Sequence, residues 1–137
     1  MDEPVILNKC DSIEAVKEFG TVVNYYIFNE FEVHTNIIPV NTVQDWHYHN
    51  KIEEIVLVVT GEILFSWLDG HKRKDCIICE GGLVCVKKAT HTFSNISTEE
   101  CRCVVFRFVP DGKNKHEIIK NDKSAVDIKN VEGINNV

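Results

Sequence analysis

From Thr21 to Val109 the chain repeats one pattern: short runs with apolar residues at every second position, separated by turn signals. Side chains of an extended strand alternate between two faces, so this pattern predicts half-buried strands. The expected strands are Thr21 to Phe28, Phe31 to Val40, Glu53 to Thr60, Glu62 to Leu68, Lys72 to Cys79, Leu83 to Lys87, His91 to Asn95 and Glu100 to Val109. Asn29-Glu30, Asp69-Gly70, Glu80-Gly81-Gly82 and Pro110-Asp111-Gly112 punctuate them. Asp69-Gly70 is a strong two-residue hairpin signal. Many short strands without βαβ alternation predict an all-β sandwich or barrel. Before them, Asp11 and Glu14 resemble a capping box, and Ile13, Val16 and Phe19 fall on one helical face before Gly20. A short N-terminal helix from Ser12 to Phe19 is therefore expected. A helical turn is an option at His116 to Lys120, in an otherwise polar tail.

Within this pattern the stretch from Trp46 to Gly61 carries the chemistry. His47 and His49 are two residues apart, so an extended backbone aims both imidazoles to one side. Carboxylates follow at Glu53 and Glu54, then an apolar run to Gly61. Imidazole with carboxylate suits divalent Zn, Fe, Mn, Ni or Cu. A bare HxH is more simply two exposed histidines at the start of a strand. The residues further along decide between the two. If Glu54 faces inward, Val56 and Val58 do too, which makes an apolar pocket floor, and Glu53 faces the other way. Trp46 and Tyr48 flank the histidines on the opposite face.

The chain resembles a small single-domain cupin. That family's first motif is HxH, three or four residues, Glu, six residues, Gly; His47, His49, Glu54 and Gly61 match it. The second is Gly, a short apolar strand, a Pro-x-Gly turn and His-x-x-x-Asn. Here Gly81 (or Gly82), Leu83-Val84-Cys85-Val86 and His91-Thr92-Phe93-Ser94-Asn95 match it. The Pro-x-Gly turn is missing: Val86-Lys87-Lys88-Ala89-Thr90 stands in its place. Lys87 and Lys88 are expected to face solvent. The resemblance covers about Ile37 to Phe108. It implies a jelly-roll β-barrel over 21–110, with an arm and helix at 1–20 and a tail at 111–137, the whole chain 1–137 being one domain. It implies a divalent metal ion (Fe, Mn, Ni or Zn) on His47, His49, Glu54 and His91, with positions open for a small molecule or O2. It also implies a homodimer, for which the apolar arm Val5 to Leu7 and the tail past Lys113 are candidates.

Composition limits the partners. With 21 acidic and 15 basic residues the net charge is -6, which opposes nucleic acid and anionic membranes. The basic run His71-Lys72-Arg73-Lys74 follows a turn signal and reads as a solvated hairpin end. Met1-Asp2-Glu3-Pro4 lacks a signal peptide's basic start and apolar run, and no apolar run reaches the ~18 residues of a membrane span. A cytoplasmic protein is expected, with its six cysteines as thiols. Cys76-Ile77-Ile78-Cys79 has CxxC spacing, but i and i+3 of a strand face opposite sides, so no redox motif is read there. Cys101 and Cys103 read as small core residues. His34, His71 and His116 are given no role.

Two functions remain. One is a metalloenzyme, a dioxygenase or an isomerase, acting on a small metabolite in the barrel mouth. The other is a non-catalytic sensor or sugar-binding module. The catalytic residues and the substrate are not legible at this level.

Overall fold

The computed structural model describes residues 3–127 and 133. Nine strands run in order: β1 Ile13–Val16, β2 Val22–Ile27, β3 Phe31–Ile38, β4 Glu53–Thr60, β5 Ile63–Asp69, β6 Lys72–Ile78, β7 Leu83–Cys85, β8 His91–Ser94 and β9 Cys101–Phe108. Among the described residues one short α-helix, α1 His116–Asn121, follows them. The strands form two antiparallel sheets. The larger has the order β1-β2-β3-β9-β4-β7 and the smaller β6-β5-β8. The sheets face each other without hydrogen-bonded closure, so the jelly-roll is an open sandwich and not the closed barrel expected.

The interior follows strand parity. Val56 and Val58 of β4, Ile63 and Phe65 of β5, Phe93 of β8 and Val105 of β9 are buried together with Ile38, Ile78 and Val86. Each fully buried aliphatic or aromatic side chain is worth about 1.5–3 kcal/mol against exposure. The other face of β4 is apolar too, but Leu57 and Val59 are exposed there.

The N-terminal helix expected over Ser12 to Phe19 is not formed. Asn8 to Asp11 close one 3-10 turn, where the Asp11 carboxylate accepts the Asn8 amide at 2.8 Å. Then β1 pairs with β2, Ile13 opposite Tyr25 and Val16 opposite Val22. Ile13 and Val16, the residues of the supposed helical face, are 61% and 67% exposed. So short a helix is marginal alone, and β-branched residues beside a ready strand partner gain more from the sheet. Gly20, at φ +92°, makes the turn between the two strands.

The segment between β3 and β4 is irregular but fixed. It runs antiparallel to β8, with Asn41 N donating to Asn95 O, Gln44 N to Phe93 O, and His47 and His91 exchanging backbone bonds at 3.0 and 2.8 Å. Buried Asn95 holds this end of the fold. Its Nδ2 donates to Ile38 O and Glu99 O, and its Oδ1 accepts from the Ser97 amide and hydroxyl. The glycine that ends β4 also has a steric reason: a Cβ on Gly61, at φ +81°, would lie 2.8 Å from Glu100 O.

Candidate metal centre

The backbone exchange between His47 and His91 sets the two imidazoles side by side, ring centroids 4.3 Å apart. His49 follows at the same parity, 5.1 Å from His47 and 5.5 Å from His91. Glu54, the first inward residue of β4, reaches the same point. One ligand atom from each of these four side chains lies within 4.8 Å of all the others.

Hydrogen bonds fix which atoms face the centre. His47 Nδ1 is 2.9 Å from Asp45 O, and His91 Nδ1 is 2.8 Å from Ala89 O. A carbonyl only accepts, so each Nδ1 carries a proton and each Nε2 is the ring atom turned to the centre. His91 Nε2 is fully buried, has no hydrogen-bond partner and lies 3.6 Å from Glu54 Oε2. Two buried atoms at that separation stay together only with positive charge between them, either a proton on His91 Nε2 or a cation. The donor set, neutral imidazoles with one carboxylate, is the kind that binds a divalent transition ion, and the ring orientation by backbone carbonyls is the usual outer support of such ligands.

Arg107 completes the carboxylate's surroundings. Its Nε and its terminal guanidinium nitrogen both donate to Glu54 Oε1 at 2.8 Å, leaving Oε2 toward the histidines. Burial raises the Glu54 pKa, but His91 and the Arg107 guanidinium outweigh it and hold the group at about 2. Burial lowers the pKa of His49 against the opposing pull of Glu54, 3.3 Å away, so its ring favours the neutral form.

The missing Pro-x-Gly turn is replaced by local chemistry. Lys87 takes the left-handed conformation, φ +59°, and its amide donates to Glu53 Oε1 at 2.9 Å. The same oxygen accepts the Glu54 amide, and Val86 N donates to Glu54 O. Glu53 points away from the histidines and anchors the chain that leads to His91. Lys87 and Lys88 are exposed, as expected.

A cavity of about 300 Å³ opens beside the centre. Glu54 and Val56 of β4, Val105 and Arg107 of β9, and Phe93 of β8 form part of its wall; Val56 supplies the expected apolar floor, while Val58, expected beside it, is buried in the core instead. His34, to which no role was given, also lines it, buried at 2% exposure with Nε2 2.9 Å from Glu32 Oε2. Arg107 and His34 went unnoticed for one reason: each was judged without its strand parity. Arg107 shares the parity of buried Cys101, Cys103 and Val105, and His34 that of buried Ile38. A charged or polar residue at an inward parity is the signal. Trp46 and Tyr48 are exposed, with the Arg73 guanidinium 5.6 Å from the Trp46 ring. Cys101 and Cys103 are buried with their sulfurs 3.5 Å apart, and all six cysteines are free thiols.

A family model described as a cupin domain matches residues 34–107, more than half of the chain. The chain belongs to the cupin family. Solved cupin-fold structures resemble it at low identity. Hydroxypropylphosphonic acid epoxidase from S. wedmorenis is 15% identical over 77% of this chain, with a TM-score of 0.62. This cupin spans 59% of the epoxidase's length. A predicted oxalate decarboxylase from Thermotoga maritima is 13% identical over 77% of this chain and all of that one, TM-score 0.66. The cupin domain of Schizosaccharomyces pombe Cnp3 is 12% identical over 70% of this chain and 66% of that one, TM-score 0.59. These likenesses concern the fold. No curated protein matches the sequence.

Proposed function

We propose that this cupin, acting as one domain over 1–137, holds one divalent ion, Fe, Mn, Ni or Zn, on His47, His49, Glu54 and His91 and binds a small metabolite in the adjoining cavity. The observation that carries the reading is the buried, partnerless His91 Nε2 facing the Glu54 carboxylate. An Fe(II) form of the epoxidase, 16% identical over 79% of this chain and 62% of that one, TM-score 0.63, supports iron as the first ion to try. Such an ion supplies Lewis-acid polarisation of a ligand oxygen or, for iron, reaction with O2. The chain's own residues orient and insulate: carbonyls of Asp45 and Ala89 fix the rings, Arg107 keeps Glu54 ionised, and Val56, Val105 and Phe93 exclude water. Dioxygenase and isomerase chemistry both suit this arrangement. A second reading, a non-catalytic binding module, draws on Glu53, whose carboxylate is committed to the amides of Glu54 and Lys87 and not to the cavity.

Elemental analysis of untagged protein purified without chelator tests the centre. About one equivalent of metal is expected, lost in His49→Ala. No metal after reconstitution, or metal retained in both His47→Ala and His49→Ala, would overturn it. Oxygen consumption by the iron form, set against isomerisation of hydroxy-ketone substrates, separates enzyme from binding module.

A cytosolic homodimer is part of the proposal. The outward face of the larger sheet supports it: Leu57 and Val59 of β4 and Leu83 of β7 are exposed, beside the half-buried Ile55, Val104 and Phe106. The arm at Val5–Leu7 is exposed as well. Part of the tail, also a candidate for contact, lies outside the described residues.

A further inference from the structure

The cavity has a second polar end that the metal centre does not use. Thr21 and Asn36 both line it, and Thr21 Oγ1 and Asn36 Oδ1 are buried without a hydrogen-bond partner. Thr21 is 2% exposed. Such groups are costly when left unpaired, and natural proteins keep few of them. His34 lies on the same strand as Asn36, two residues away, and lines the same cavity. Its Nε2 faces the Glu32 carboxylate, which only accepts, so that nitrogen donates and Nδ1 is left as an acceptor. Burial lowers the His34 pKa against the Glu32 hydrogen bond, in keeping with a neutral ring.

Thr21 and Asn36 lie apart from the metal centre, whereas His34, opposite Val105 and within electrostatic reach of Glu54 and Arg107, sits between the two ends. Val105 pairs with His34 on one side and with Val56 on the other, and Cys103 likewise joins Asn36 to Val58. Asn36 is thus two strands across from β4 and four residues along from the level of Glu54. At ~4.8 Å per strand and ~3.3 Å per residue, that is roughly 16 Å between Cα atoms. The side chains of Val56 and Val105 occupy the wall between the two ends. The pattern is an ion site, a largely apolar middle that holds His34, and a polar end at Thr21 and Asn36, in a cavity that Lys17 and Glu18 also line.

We propose that the occupant is an elongated small molecule with an oxyanion at the metal end and a hydrogen-bond-donating group, hydroxyl or amino, at the Thr21–Asn36 end. This rests on the metal reading for one end only. The acceptor cluster selects among acids: an acid lacking the donor leaves Thr21 and Asn36 unpaired and binds more weakly.

Calorimetric titration of metal-loaded protein with gluconate, 6-aminohexanoate and hexanoate tests the idea. Gluconate carries a hydroxyl on every carbon past the carboxylate, so one molecule samples each separation up to its own length. Gluconate or 6-aminohexanoate should bind about tenfold or more tightly than hexanoate, and whichever of the two binds identifies the donor. Thr21→Val, nearly isosteric, and Asn36→Leu should each remove most of that preference while leaving hexanoate affinity and metal content unchanged. Equal binding of all three acids, or a preference that survives both substitutions, overturns the proposal. Metal content is measured on every sample. A protein that takes up no metal refutes the metal centre, and the acceptor cluster is then judged by the neutral polyol sorbitol, whose binding must be lost in Asn36→Leu for the cluster to stand.

Discussion

Glu54 is the residue on which most of the site's electrostatics converge. Its folded pKa of about 2 lies below the ordinary 4.5, so the unfolded chain binds its proton more tightly than the folded one. The stabilisation is complete above pH 4.5 and is lost as pH falls from there toward 2. On the order of 3 kcal/mol is at stake in metal-free protein. Urea unfolding of the chelated protein across that range should show the loss, and Glu54→Gln should flatten the slope. Arg107 acts on the same carboxylate from the neighbouring strand. Removing its charge in Arg107→Gln should raise the Glu54 midpoint and weaken metal binding by about tenfold to a hundredfold, read by competition with a chromogenic chelator. An unchanged affinity would mean that the guanidinium serves only folding.

At the scale of elements, the centre is a matter of how β8 is held. The irregular segment at Asn41–His47 zips onto β8 and delivers His47 opposite His91. Asn95, at the far end of β8, ties that strand to β3 and to the turn before β9 through four hydrogen bonds. Asn95→Ala strands the carbonyls of Ile38 and Glu99. We expect a loss of about 2–3 kcal/mol, seen as a lower urea midpoint with an unchanged slope. The N-terminal hairpin shows the opposite balance of local and distant effects. Ile13, Val16 and Phe19 have helical spacing, yet β2 offers a paired edge and the helix offers no buried face. Its turn brings Lys17, from the misread segment, to the cavity wall beside Thr21.

For the whole molecule, the unsatisfied surface is the outward face of the larger sheet. Apolar residues at both parities of β4 are more than one buried face requires. A monomer with this patch is prone to associate. Leu57→Lys combined with Leu83→Lys should move the sedimentation profile from dimer to monomer while leaving the far-UV circular dichroism unchanged. A wild-type monomer at micromolar concentration would refute the dimer.

The strands, their order along the chain and the inward parity of Glu54, Val56 and Val58 were legible in the sequence, because alternation and turn chemistry are local properties. The four candidate ligands were legible only through the resemblance of HxH, Glu54, Gly61 and the later histidine to the two cupin motifs. The pairing of β9 between β3 and β4 was not. That non-local register sets Arg107 opposite Glu54 and carries His34 and Asn36 into one cavity, and it depends on which sheet edges meet. The tertiary structure also decided that the sheets remain an open sandwich and that residues 13–16 extend. Both outcomes turn on contacts between segments far apart in the chain, where burial and strand pairing outweigh local preference.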